Sequence, residues 1–135
     1  MEILRNPITK QQLKDRYSSI FGSMTKGVAD IEKGLIALDG EMHADLEQIL
    51  LEKGSEQENL WGFNLFNGEE GDGFIEYTSL INIRPQQGNK SMEIVDKGIR
   101  SAVRKLVEKY IICFLSIIKR LQKINGKLIR FINRY

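Results

Sequence analysis

Four polar side chains alternate along one short stretch of the chain, Glu41-x-His43-x-Asp45-x-Glu47. Carboxylates and an imidazole are suitable ligands for a divalent metal ion. A carboxylate beside His43 would also raise its pKa and make it a proton carrier near neutral pH. On a strand all four groups project from one face, with successive ones about 6.6 Å apart. Glu41, His43, Asp45 and Glu47 are therefore a candidate metal set. Glu41, His43 and Asp45 are the residues a small metal-dependent hydrolase would use. The plainer reading is a solvated acidic sheet face, because neighbours on one strand converge on one ion only with help from a second strand.

A second polar run is Asn82-x-Arg84-Pro85-Gln86-Gln87-Gly88-Asn89. Arg84 could hold a carboxylate or phosphate in bidentate fashion, or pair with an acid on a neighbouring strand such as Glu41 or Asp45. No Gly-x-x-x-x-Gly-Lys-Ser/Thr phosphate loop is present. Trp61, with Phe63 and Phe66, could stack on a base or sugar, although a strand rich in aromatics needs a buried face and core packing is the more ordinary use. Together His43, Asp45, Asn82, Arg84, Asn89 and Trp61 form a candidate binding face for a small polar or anionic ligand. The chain has one His and one Cys, and Cys113 lies in an apolar run, so no nucleophile system is read.

These groups must be positioned by a small set of elements. Thr9-Lys10-Gln11-Gln12 reads as a capping box, and Leu13, Tyr17, Ile20 and Phe21 follow at helical spacing, so a helix is expected at about 10–21 with Gly22 as its stop. Residues 27–38 read as extended, with Gly34 suited to a bulge. Asp39-Gly40 is a two-residue hairpin signal. Residues 41–52 fit a strand by their alternation and a helix by the stripe Met42, Leu46, Ile49 and Leu50; the bounding turns favour the strand. Leu60–Phe66 and Phe74–Arg84 are expected strands, joined by the glycine-rich acidic loop 67–73. The last third reads as helical. The fold expected is α+β: an antiparallel meander of about four strands, with an N-terminal helix and a long C-terminal helix packed on one face.

At 135 residues, 41% hydrophobic and 28% charged, the chain is long enough to bury a core without a disulfide or metal. The N-terminus shows no signal peptide pattern, and a cytoplasmic location is the default expectation. The net charge of +2 hides a division. Residues 1–103 carry 11 Lys/Arg against 17 Asp/Glu, a net −6, and residues 104–135 carry 9 against Glu108 alone, a net +8. In the tail Ile117, Leu121, Ile124, Leu128 and Ile132 form an apolar stripe beside the basic stripe Lys119, Lys123, Lys127, Arg130 and Arg134. Such a helix could contact anionic lipid or nucleic-acid phosphates, pair two chains into a homo-oligomer, or simply be solvated on its basic side.

The runs Asp39–Glu47, Leu50–Ser55, Leu60–Leu65 and Ile81–Asn89, with the opening Met1-Glu2-Ile3-Leu4, resemble a small bacterial family known only as a domain of unknown function. The resemblance covers about residues 1–107. It implies no activity, substrate or cofactor, but it does imply that Glu41, His43, Asp45, Trp61, Asn64, Asn82, Arg84 and Asn89 belong to a recurring pattern. The sequence therefore divides into an α+β domain at 1–107 and a basic helical extension at 108–135. The functional reading is a non-catalytic binding or accessory domain, with the metal-dependent hydrolase and a membrane or nucleic-acid contact through the tail as alternatives.

Overall fold

The structure, a computed structural model, describes residues 1–17, 20, 22–113, 118 and 120–127. The elements run β1 (Glu2–Ile3), β2 (Ile8–Thr9), α1 (Lys10–Tyr17), β3 (Met24–Asp30), β4 (Leu35–Leu38), α2 (His43–Glu52), β5 (Leu60–Phe66), β6 (Ile75–Glu76), α3 (Lys97–Tyr110) and β7 (Ile111–Ile112). The fold is α+β, with one five-stranded antiparallel sheet in the order β1-β4-β3-β5-β6. A separate parallel pair joins β2 to β7, Ile8 opposite Ile111.

The sheet is not a simple meander. Strands β4 and β5 both pair antiparallel with β3, so they run in the same direction on either side of it. Strands that run in the same direction need a crossover, which is usually a helix. Here it is α2, and this overturns the extended reading of residues 41–47. The stripe Met42, Leu46, Ile49 and Leu50 was the truer signal: Leu46 and Leu50 are buried against the sheet with Val28, Ala37 and Leu60. Asp39-Gly40 correspondingly leads into α2 instead of closing a hairpin, and Asp39 takes a positive φ of 71°.

Two further segments differ from expectation. Residues 27–38 are not one bulged strand but the β3–β4 hairpin. Its turn is held by the buried Asp30 carboxylate, which accepts from the backbone N–H groups of Glu32 and Lys33. Phe74–Arg84 is not one strand either. Only Ile75–Glu76 pairs with β5; Ser79 Oγ then accepts from Ile81 N and starts a short helical turn, Leu80–Asn82.

Alternation in β3 and β5 builds two cores on opposite sheet faces. Ala29, Trp61, Phe63 and Leu65 face α1 and α3, whose Leu13, Tyr17, Val103, Val107 and Tyr110 complete the larger core. Val28 and Leu60 face α2. The N-terminal helix and α3 thus share one face, as expected, and α2 covers the other. Helix α3 starts at an Asp96 cap, runs through residue 108 and stops at Tyr110, where Ile111–Ile112 leave the helix to pair with β2. The C-terminal helix is therefore interrupted; residues 120–127 are helical again. Among the described residues no helix is long and apolar enough to cross a membrane.

Candidate functional site

A helix disperses the four alternating residues, because positions two apart lie on opposite sides of it. Glu41 precedes α2 and is exposed, Asp45 is exposed in its first turn, and only His43 and Glu47, one turn apart, share a side. The expected metal set is thus not assembled. Among the described residues, no group of three or more His, Cys, Asp and Glu side chains is placed to hold a metal ion.

His43 instead stands at the edge of a cleft of about 450 Å³ between the start of α2, the sheet and the segment 78–81. Its Nε2 lies 2.9 Å from the carbonyl oxygen of Phe63. A carbonyl can only accept, so Nε2 carries the proton, and in the neutral ring Nδ1 keeps its lone pair. Burial pushes the imidazole pKa below its ordinary value, and the positive charge of Lys26 acts in the same direction. The Phe63 carbonyl, Asn64 and Glu76 oppose them. Neutral imidazole is thereby the resting form at neutral pH.

The cleft floor is set by strand register. Lys26 on β3 is opposite Asn64 on β5, and Asn64 is opposite Glu76 on β6. A cation, an amide and an anion thus stand in one row across three strands, all on the α2 side of the sheet. Asn64 Nδ2 donates to Glu76 Oε1 at 2.9 Å and to the carbonyl of Thr78 at 3.1 Å. These two acceptors fix which end of the amide is nitrogen. The amide faces His43, yet Asn64 Oδ1 is buried without a hydrogen bond of acceptable geometry, in a residue only 6% exposed. Such an orphaned acceptor costs about 1–3 kcal/mol unless something fills it. The walls are apolar and partly open: Met24 and Ile81, with Leu80 70%, Met42 57% and Met92 41% exposed.

The second polar run forms structure behind this cleft. Asn82 is fully buried, and its side chain clasps the backbone of Gly62: Oδ1 accepts from Gly62 N at 2.8 Å and Nδ2 donates to Gly62 O at 2.9 Å and to Met92 O at 3.1 Å. It thereby extends the β5 ladder past the end of β6. Gly62 has to be glycine here, since a Cβ would stand 2.5 Å from Ser79 Cβ. Asn89 Nδ2 donates to the carbonyls of Asn82, Ser91 and Glu93, and Oδ1 accepts from Val95 N.

Arg84 is spent in the same way. Its Nε donates to Ile81 O at 3.0 Å, one terminal nitrogen donates to Leu60 O, and the guanidinium stacks on Trp61 at 4.7 Å. Its acidic partner is Glu47 at 3.6 Å, not Glu41 or Asp45. Burial lowers the Arg84 pKa against the opposing pull of Glu47, and burial raises that of Glu47. Trp61 is a core residue, 1% exposed.

Of the six candidate ligand-binding residues, the structure therefore brings His43 to the cleft. It places Asn82, Arg84, Asn89 and Trp61 behind the wall, and leaves Asp45 outside. Lys26 and Glu76 were missed because strand register is not visible in one strand's sequence. Asn64 did carry a signal, as the lone polar side chain among Leu60–Phe66. Of the basic tail stripe, Lys123 and Lys127 are helical and exposed; Lys119, Arg130 and Arg134 lie outside the described residues.

No curated protein and no solved structure matches the chain. A family described as a protein of unknown function, DUF5674, does match, over residues 2–110. That span takes in every element from β1 to α3, with the cleft and its supporting loop, so the chain belongs to the DUF5674 family of proteins of unknown function.

Proposed function

We propose that this chain is a non-catalytic binding domain, and that its ligand is a small polar molecule with an apolar portion, seated in the cleft over Lys26, Asn64 and Glu76. The observation that carries this reading is Asn64 Oδ1, a buried acceptor left open on the floor of a cleft with apolar walls. Concave sites with apolar lining and a few convergent polar groups are the usual form of small-molecule sites. A ligand N–H would satisfy Oδ1, Lys26 and Glu76 offer one charge of each sign beside it, and methionines give the walls an adaptable surface. The neutral His43 adds a second acceptor, Nδ1. In this reading the functional domain includes all of α3 and β7, since Tyr110 and Ile111 belong to its core, and the basic segment after β7 is an addition. Family resemblance and the lone Cys113 favour the bacterial cytoplasm as its place of work.

The test is a set of small probes (leucine, acetate, methylammonium and N-methylacetamide) titrated into the full chain and followed by amide NMR shifts. The expected result is saturable shifts clustered on residues 24–26, 42–44, 62–64 and 76–81, abolished in Asn64→Leu. Shifts that cluster elsewhere, or that survive Asn64→Leu unchanged, would overturn the reading.

A further inference from the structure

We infer that the helix at residues 120–127 docks on an anionic lipid surface, lying in its plane. This rests on the tail alone and is independent of the cleft. Within the helix Leu121 is 54% and Ile124 60% exposed, two large aliphatic side chains left in water. Arg120, Lys123 and Lys127 are exposed as well. At 3.6 residues per turn the two aliphatics fall on one side and the three cations on the side next to it. The sequence continues both patterns, with Leu128 and Ile132 on the first and Arg130 and Arg134 on the second. An exposed apolar stripe flanked by cations is the pattern of helices that lie in the headgroup region, where the aliphatics leave water and the cations meet lipid charge.

The other occupants fit less well. From residue 109 to residue 135 there is no Asp or Glu, so two copies of this helix would bring cations together with no acid to pair them. Nucleic-acid phosphates would satisfy the cations but give the aliphatics no reason to be there. The protein's longest acidic stretch is on the sheet face away from β7. Residues 41–58, which hold α2 and its flank, carry six Asp/Glu against Lys53 alone. Helix α2 covers one sheet face, whereas the tail leaves from β7, which is paired with β2 and lies against α1 on the other. On α1, exposed Lys14 and Arg16 outnumber the exposed Asp15, and the acids of the 69–72 loop stand beside Lys10 and Arg104.

The experiment is co-sedimentation of the full-length protein with vesicles of phosphatidylcholine alone and of phosphatidylcholine with phosphatidylglycerol, over a salt series. Binding is expected only to the anionic vesicles and is expected to weaken as salt rises. Lys123→Gln with Lys127→Gln should weaken partitioning by about fivefold per charge removed. Leu121→Asp with Ile124→Asp should abolish it. All four side chains are exposed, so both double variants should keep the parent melting temperature, and that measurement shows the loss is not unfolding. Equal binding to both vesicle types, no binding to either, or an unchanged Leu121→Asp/Ile124→Asp variant would overturn the inference. So would a concentration-dependent dimer, or duplex DNA binding without vesicle binding, lost in the same variants.

Discussion

Asn64 and Asn82 are both buried asparagines at β5, the first a residue of the strand and the second bonded to its edge at Gly62. Asn82, with Asn89 and Arg84 beside it, spends its polar atoms on backbone groups: the amides and guanidinium of this cluster meet the carbonyls and N–H groups of Leu60, Gly62, Ile81, Met92 and Val95. Asn64 spends its nitrogen and leaves its oxygen open. Both regions looked equally chemical as residue types. The difference between the two asparagines is satisfaction: Asn82 has its bonds made inside the protein and holds the fold, and Asn64 keeps an open oxygen at a cleft with capacity for something else.

The contrast can be broken by substitution, with the largest effect on the satisfied side. Asn82→Ala strips partners from Gly62 N, Gly62 O and Met92 O, and should lower unfolding free energy by about 4 kcal/mol in urea titration. Next, Arg84→Met leaves the half-buried Glu47 beside no cation and two carbonyls without their Arg84 donor, a loss of about 3 kcal/mol. The double variant Arg84→Met/Glu47→Leu should recover part of that, because the abandoned carboxylate is gone. If the single and double variants are equally unstable, the ion pair has no share in the wall. On the open side, Asn64→Leu should cost about 1 kcal/mol or less, since only the Thr78 carbonyl and the Glu76 contact lose a donor. A loss as large as that of Asn82→Ala would erase the distinction drawn between the two amides.

The smallest effect is a pH dependence. The folded pKa of His43 lies below the ordinary 6.5. The stability it contributes is therefore fully present above about pH 6.5 and is lost as pH falls through the lower folded value. Other groups titrate there too, so the readout is a difference. The melting temperature of the parent should fall more than that of His43→Gln between pH 7.5 and pH 5. Parallel pH curves for the two would mean that the imidazole is not held neutral by its seat.

How much of this was legible depends on range. Signals confined to a few neighbouring residues are legible. The capping box at Thr9 and Gln12 forms in both directions, Gln12 N to Thr9 Oγ1 at 3.1 Å and Thr9 N to Gln12 Oε1 at 3.0 Å. Leu60–Phe66 is the strand its aromatics suggested. The α+β class and the shared face of α1 and α3 also follow from local patterns. Residues 41–47 misled because polar alternation with period two coincided with an apolar stripe of helical period, and the choice between them was made by topology: β4 and β5 flank β3 and need a crossover. The apparent strand Phe74–Arg84 ends early for a similarly distant reason, since Asn82 takes the place that a continuing strand would have filled beside Gly62. The cleft floor depends on the register of three strands separated by up to fifty residues, which no single stretch of sequence encodes.

The parallel pair of β2 and β7 has a consequence in time. Ile8 leaves the ribosome well before its partner and can pair only when Ile111 follows, more than a hundred residues later. During that interval α1 has a sheet-facing side with part of its core missing, because Val103, Val107 and Tyr110 come equally late. Long-separation contacts of this kind slow folding. The last turn of α3 and the two residues after it therefore act as the closing stitch of the molecule, and a nascent chain stalled before them would present its larger apolar face uncovered.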